Sequence, residues 1–172
     1  MNMHVKKKFQ EHKGTTLVEL MVTLCIIVFV IGGTVTLGSA AFENLRTYQY
    51  HCECEALLIK LIDFREERMM TSRKDTIYEI FVFDQKVLFV RRPTHPTFGE
   101  HEKTEIFNLQ YMQIQGTMTG QKFEIFPSGT LGKAGTMEMI KSSKAINLIG
   151  DSGKQDKIVF QVGNGRIYLN EE

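Results

Sequence analysis

The feature that most constrains this chain is an uncharged, apolar stretch near its N-terminus. Residues 20–42 (LMVTLCIIVFVIGGTVTLGSAAF) contain no charged side chain, and the stretch exceeds the ~20 residues that a helix needs to cross the hydrocarbon core of a bilayer. It is apolar on all sides rather than along one stripe, which argues against the core helix of a soluble domain. Lysines cluster immediately before it, so we expect a cytoplasmic N-terminus and an external C-terminal part.

Three kinds of targeting segment compete for this stretch. A secretory signal would use the small residues at 38–40 for cleavage, but the apolar run exceeds the usual length of about 7–15 residues and Glu19 lies at its start. A lipoprotein signal would end at Cys25, but Leu24 occupies the preceding position, where a small residue is expected. The third kind is a basic leader that is removed just before the apolar stretch, and residues 13–20 favour it.

Residues 13–20 read KGTTLVEL. This segment resembles the N-terminal motif of the type IV pilin and type II secretion pseudopilin superfamily. In that motif a basic leader ends in Gly, and an apolar helix with Glu at its fifth position follows the cleavage site. The resemblance implies cleavage between Gly14 and Thr15, and it makes Glu19 the fifth residue of the mature chain. N-methylation of Thr15 is left open, because the family usually has Phe at this position.

Glu19 has a physical reason to be there. An ionised carboxylate in an apolar membrane helix costs several kcal/mol unless it is paired. Cleavage after Gly14 would create an α-amino group on Thr15, and in a staggered filament Glu19 can meet the terminal amine of a neighbour. We therefore predict an assembly role for Glu19. A capping box with Thr15 or Thr16 is a second interpretation, and it is compatible with the first.

The helix is expected to continue beyond the membrane to about Met70. Apolar residues recur there at intervals of three or four, which is typical of an amphipathic helix with one face on a core. The predicted core stripe comprises Phe42, Leu45, Gln49, Cys52, Ala56, Ile59 and Ile62.

Residues 71–172 predict a β-rich globular head. Residues 77–83 and 86–90 are rich in β-branched and aromatic side chains around a short polar turn, which indicates a hairpin. Further strands are expected near 104–115, 121–126, 134–140, 144–149, 156–162 and 165–169, with Gly-containing turns between them.

The expected fold is α+β and pilin-like, with a long N-terminal transmembrane helix packed on a C-terminal antiparallel β-sheet head. The expected domains are a cytoplasmic leader at 1–14, the transmembrane half of the helix at 15–42, its amphipathic half at 43–70, and the head at 71–172.

A second resemblance lies in the C-terminal half. The segments FEIFPSGT at 123–130, KIVF at 157–160 and GNGRI at 163–167 look like those of the minor pseudopilins grouped as GspH/FimT-like. Together with the leader and the small size, they resemble most the ComGD-type subunits of Gram-positive competence pili. The resemblance implies a minor pilin that supports DNA uptake in transformation, with a structural and assembly role. A type II secretion-like pseudopilin for protein export is the alternative.

The same resemblance implies the partners and the location. The partners would be other pilin and minor pilin subunits of the same filament, the prepilin peptidase and the membrane. The chain would be a single-pass membrane protein that reaches the cell surface once it is assembled into the pilus. A further hypothesis is a soluble β-domain that signal peptidase releases from the membrane.

Enzyme chemistry is not expected from this sequence. It contains no nucleophile–base pair, phosphate-binding loop or repeated metal-ligand spacing, so we expect neither a cofactor nor a metal site. His51 and Cys54 would share a helix face, but two ligands fall short of the three or four of a zinc site. We expect both side chains to face solvent. The three cysteines, Cys25, Cys52 and Cys54, are expected to be free thiols, and an intermolecular bridge or a bridge to a partner subunit is the alternative.

Direct DNA contact by a subunit at the tip of the pilus is the open alternative to a purely structural role. DNA-binding FimT-like pilins resemble this chain at Gly165-Arg166 but carry a second basic residue where Tyr168 stands here. The candidate contacts are Arg166, Tyr168 and Lys157. The chain ends in Glu171-Glu172, and these charges oppose phosphate binding. An indirect contribution to DNA uptake is therefore favoured.

Overall fold

The protein is described by a computed structural model that covers residues 16–71, 75–95, 101–136, 138–162 and 165–171. Within these ranges the chain forms one α-helix followed by nine β-strands. It divides into two compact units, Met1–Phe42 and Glu43–Glu172. The predicted α+β fold, an N-terminal apolar helix followed by antiparallel sheets, is confirmed.

Helix α1 spans Leu17–Met70. In the second unit it buries one face, and the buried residues are spaced by three or four positions: Tyr50, Cys54, Leu57, Leu61, Phe64 and Arg68. The predicted core stripe was wrong, because Leu45 is 50% exposed, Ile59 is 56% exposed and Cys52 is also exposed. Two apolar stripes run along this part of the helix, and helical periodicity alone does not decide which one meets the sheets.

The nine strands form two antiparallel sheets. The first sheet has the order β3-β2-β1-β5-β6 and the second has the order β4-β7-β8-β9. The strands of the first sheet are β1 (Thr76–Val82), β2 (Lys86–Pro93), β3 (Lys103–Asn108), β5 (Lys122–Ile125) and β6 (Leu131–Lys133). The strands of the second sheet are β4 (Met112–Gln115), β7 (Lys144–Gly150), β8 (Gln155–Phe160) and β9 (Ile167–Glu171).

The hairpin predicted at 77–90 is confirmed as β1 and β2. The strand predicted at 104–115 was wrong, since the chain turns after Asn108 and passes from the first sheet to the second. The strand predicted at 134–140 was also wrong. Strand β6 ends at Lys133. Within the described residues, the 138–140 segment returns to β6 through a single bridge between Gly132 and Met139. Backbone hydrogen bonds from Lys133 N–H to Glu138 O and from Ile140 N–H to Leu131 O, both 3.1 Å, flank this bridge.

Glu53 on α1 explains the turn between the two sheets. Its carboxylate accepts hydrogen bonds from the backbone N–H groups of Gln110 at 2.7 Å and Tyr111 at 2.8 Å. Two donors that would otherwise lack a ladder partner are thereby satisfied. The helix therefore fixes the point at which the chain changes sheets.

Both sheets contribute to one hydrophobic core with α1. Phe64 packs on Tyr78 and Phe89, with ring centroids 5.2 and 5.1 Å apart. At the second sheet the hydroxyl of Tyr50 donates to the carbonyl oxygen of Leu148 at 3.3 Å. Burial, followed by the neighbouring Cys54, raises the pKa of Tyr50, so its phenol stays a hydrogen-bond donor.

A charge network fastens the C-terminal part of α1 to β2 and β3. Arg91 donates to both carboxylate oxygens of Glu67, at 2.8 and 2.5 Å, and to Glu105 at 2.5 Å. Lys60 forms an ion pair with the same Glu105. The hydrogen bond to Glu67 raises the pKa of Arg91, and the hydrogen bonds from Lys60 and Arg91 lower the pKa of Glu105.

The Glu53 contact gives a testable prediction for stability. Glu53→Ala should lower the free energy of unfolding by about 1–3 kcal/mol, because two backbone donors lose a charged acceptor. The matched control is Glu55→Ala, an exposed helix position two residues away, which should change it by less than about 0.5 kcal/mol. Urea unfolding of the full chain in detergent, followed by circular dichroism, measures both. Equal losses in the two variants would contradict the role assigned to Glu53.

Candidate functional site

Of the predicted processing and assembly residues, Gly14 and Thr15 lie outside the described residues. Glu19 lies in the first turn of α1. Its carboxylate accepts the backbone N–H of Thr16 at 2.9 Å, and the hydroxyl of Thr16 accepts the backbone N–H of Glu19 at 3.3 Å. This reciprocal pair is a capping box. Both residues are exposed, so the Glu19 carboxylate remains accessible to a partner.

The N-terminal part of α1 is long and apolar enough to span a membrane, by length and composition. None of the residues 16–42 is buried in the protein. Core helices of soluble proteins bury their apolar surface, so this exposure argues against such a helix. Signal sequences pass the same test of length and composition.

A second exposed apolar surface lies on the part of α1 that follows Phe42. We call Leu45, Tyr48, Cys52 and Ile59 the exposed helix stripe. The spacings of three, four and seven positions place these side chains on one face of the helix. Leu45, Tyr48 and Ile59 are between 50% and 67% exposed. This face does not contribute to the core of the head.

Two of the three C-terminal segments singled out in the sequence, those with Gly129 and Gly165, contact each other. The Pro127-Ser128-Gly129 turn closes with a hydrogen bond from Gly129 N–H to Phe126 O at 2.8 Å, and Gly129 has a positive φ of 78°. Gly165, at φ 62°, lies so close that a Cβ there would overlap the carbonyl oxygen of Gly129. Arg65 of α1 donates from Nε to the same oxygen at 3.0 Å.

Arg65 was missed by the sequence reasoning, because nothing in its own neighbourhood marks it. It is one of several charged residues on the helix, and only the fold brings it to the turn. The contact of Arg65, Gly129 and Gly165 ties the helix, the end of β5 and the start of β9 together.

This contact predicts a large difference between two glycines. Gly165→Ala should lower the free energy of unfolding by about 3 kcal/mol or more, because left-handed strain and a backbone overlap add up. Gly153 also has a positive φ, of 80°, but a Cβ at this position would face open space. Gly153→Ala should therefore lower the free energy of unfolding by about 1–2 kcal/mol. Urea unfolding of the two variants side by side measures the difference. Similar losses would contradict the close approach at Gly165.

The three candidate DNA contacts lie on the outer face of the second sheet. In the β8–β9 register Lys157 pairs with Asn170 and Val159 pairs with Tyr168, so Lys157 and Tyr168 are diagonal neighbours on one face. Arg166 precedes Tyr168 by two positions and is exposed. The backbone therefore brings Lys157, Arg166 and Tyr168 to one surface.

Residues 133–166 carry six Lys or Arg against three Asp or Glu, but several of these basic residues lie away from the surface of Lys157, Arg166 and Tyr168. Lys133 belongs to the edge strand of the first sheet. Lys144 pairs with Phe160 on the inner face of the second sheet, and the ammonium of Lys154 contacts His51 Nε2 at 3.1 Å. The excess of positive charge in this segment is therefore not one continuous patch.

Cys54 does not face solvent as predicted. It is fully buried, with its Sγ 3.5 Å from the Sδ of Met112. Burial raises the pKa of Cys54 to about 12, so its thiol stays protonated and unreactive. All three cysteines are free. Across the described ranges, no cluster of three or more His, Cys, Asp or Glu residues could hold a metal ion.

Comparison of the chain with protein-family models, with curated proteins and with solved structures found no match. The functional interpretation therefore depends on the sequence motifs, on the exposed apolar helix with Glu19 in its first turn, and on the β-rich head.

Proposed function

We propose that this chain is a minor pilin or pseudopilin, a structural subunit of a competence-type pilus that supports DNA uptake in transformation. The observation that carries the proposal is the exposed apolar N-terminal part of α1, residues 17–42, with Glu19 in its first turn. Such a surface needs a lipid bilayer or apolar neighbours to cover it. Lipid would cover the apolar surface while the subunit is in the membrane, and neighbouring subunits would cover it in the filament.

The geometry at Glu19 supports an assembly role. The hydrogen bond from Thr16 satisfies one carboxylate oxygen but leaves the negative charge without a counter-charge in the described part of the helix start. In an apolar environment an unpaired charge costs several kcal/mol. The terminal amine of a neighbouring subunit, created by cleavage between Gly14 and Thr15, would pair the charge and set the stagger between subunits.

The exposed helix stripe is a second apolar surface, on the part of α1 that belongs to the second unit. Aliphatic and aromatic side chains with half or more of their surface in water are natural contacts for a neighbouring helix. In this proposal the partners are other pilin and minor pilin subunits, the prepilin peptidase acts on the leader, and the chain passes from the cell membrane to the cell surface. The role is structural rather than catalytic.

Sheared surface filaments test this proposal. The full chain should be recovered in the sheared fraction of competent cells together with the other pilin subunits, and its deletion should abolish transformation while protein export continues. Loss of export with intact transformation would favour a secretion pseudopilin. Recovery of the chain only as a soluble protein in the medium would contradict both.

Direct DNA capture is the second candidate, because Lys157, Arg166 and Tyr168 share one exposed surface. We nevertheless expect the full chain in nanodiscs of neutral lipid to bind duplex DNA with a Kd no tighter than about 10⁻⁴–10⁻⁶ M near physiological salt.

The variant Arg166→Ala separates the two candidates. It should assemble into pili and change the Kd for DNA by less than about threefold, since one exposed phosphate contact contributes little. Lys154→Ala, on a different surface, is the matched control. Submicromolar binding by the wild type that Arg166→Ala abolishes, while Lys154→Ala preserves it, would favour direct DNA capture.

A further inference from the structure

A preformed cavity of about 200 Å³ lies in the head. We call it the head cavity. It is bounded by the 128–131 turn, the 139–144 segment, the end of β8, the start of β9 and Arg65 of α1. Its apolar walls are formed by Ile125, Leu131, Ile140, Phe160, Val162 and Ile167.

One part of the wall of the head cavity is formed by backbone. Gly129 and Gly165 line it and touch each other, and Arg65 holds the carbonyl oxygen of Gly129. Because both glycines adopt positive φ angles, this part of the wall depends on a backbone geometry that other residues rarely adopt. A ligand would therefore enter a site that needs little reorganisation.

One polar group is placed unusually at the edge of the head cavity. Lys144 is the first residue of β7 and pairs with Phe160 on the inner face of the second sheet, where the following inward residue is the buried Ile146. It is half-buried and lines the head cavity. Within the described residues its ammonium makes no hydrogen bond or ion pair.

The charged residues among the described lining of the head cavity are cations, whereas Glu138 lines the adjoining groove. The described lining residues of the head cavity include the cations Arg65 and Lys144 and no Asp or Glu. Ser142 and Gln161 add neutral hydrogen-bonding groups. A site with apolar walls and positive charge at its edge favours a ligand with an apolar body and an anionic head.

The geometry points to a binding site for a small amphiphilic carboxylate. The apolar body would fill the head cavity, and the carboxylate would pair with the ammonium of Lys144. At the packing density of protein interiors, 200 Å³ accommodates on the order of ten non-hydrogen atoms, which matches a short aliphatic or aryl carboxylic acid. The assignment is independent of the role of the chain in a filament.

Methyl NMR of the full chain in nanodiscs tests the site, with ¹³C-labelled isoleucine methyl groups and hexanoate as the probe. The signals of Ile125, Ile140 and Ile167 should shift saturably with hexanoate, whereas that of Ile106, on the outer face of the first sheet, should not. Acetate, which lacks the apolar body, should cause no saturable shift.

Two lysine variants test the charge. Lys144→Met should weaken hexanoate binding by about tenfold or more, as expected for loss of a partly buried charge pair, and should leave the binding of the neutral 1-hexanol within about twofold. Lys141→Met is the matched control, because both lysines line a neighbouring groove and Lys144, but not Lys141, also lines the head cavity. It should bind hexanoate like the wild type.

A variant that fills the head cavity tests the apolar part of the site without changing any charge. Ile140→Phe should abolish the binding of both probes while Ile146 and Ile158 keep their native methyl shifts. The absence of saturable shifts in the wild type, or unchanged hexanoate binding in folded Lys144→Met, would overturn the proposal. Equal weakening by Lys141→Met would likewise overturn it, because the effect would then be one of surface charge.

Discussion

A chain carrying Glu19→Val is expected to be processed and to reside in the membrane, yet to be absent from sheared filaments. The substitution removes the carboxylate that would pair with the terminal amine of a neighbour, while it preserves the apolar helix that is long enough to span a bilayer. In Glu19→Val the terminal amine of the neighbouring subunit would be left without its counter-charge. Since an unpaired charge in an apolar environment costs several kcal/mol, we expect incorporation of the variant into filaments to fall by at least about tenfold.

The capping box requires a control that separates the hydrogen bond from the charge. Glu19→Gln keeps an oxygen that can accept the N–H of Thr16 but carries no charge. If Glu19 acted only as a cap, this variant would assemble normally. We expect it to fail like Glu19→Val, whereas Thr16→Ala, which removes the other half of the box, should cost about 1 kcal/mol of helix stability and still assemble. Normal incorporation of Glu19→Gln would contradict the pairing role.

The second large effect is expected at the predicted cleavage site. Gly14→Val should leave uncut precursor in the membrane, because a branched side chain blocks access of the peptidase to the backbone. Immunoblots of membrane fractions would show the precursor as a slower band, and filaments should lack the chain.

Gly38→Val is the matched control for processing. It alters the small residues that a secretory signal would use, at the other end of the apolar stretch. Processing of Gly38→Val should remain normal if the leader is removed before Thr15. The opposite pattern, with normal cleavage of Gly14→Val and a block in Gly38→Val, would support an ordinary secretory signal.

The sequence predicted the long helix, the antiparallel head and the first hairpin, because each depends on local periodicity and turn residues. The core face of the helix was predicted wrongly for a physical reason. Apolar side chains occupy two faces of the same helix, and one of them, with Leu45 and Ile59, stays exposed. A single chain gives no signal for which face packs inside the subunit and which is left for another contact.

The details of the candidate sites depend on contacts between distant residues. The turn that follows β3 is held by Glu53, which lies 57 positions before its partner Gln110. The contact of Gly129, Gly165 and Arg65 joins three separate segments. The periodicity of residues within one segment cannot predict the Glu53 contact or the contact of the two glycines with Arg65. The placement of Lys144 on the inner face of the second sheet follows from its register with Phe160, which its polar character alone would not suggest.

The mass of the mature chain tests the central claim most directly. Intact mass spectrometry of the protein purified from membranes of its own cells determines the first residue of the mature chain. The proposed filament subunit should begin at Thr15, with or without one methyl group, and should retain the apolar helix. A mature protein that begins near Ala41 would have lost that helix together with Glu19, and it would contradict the account.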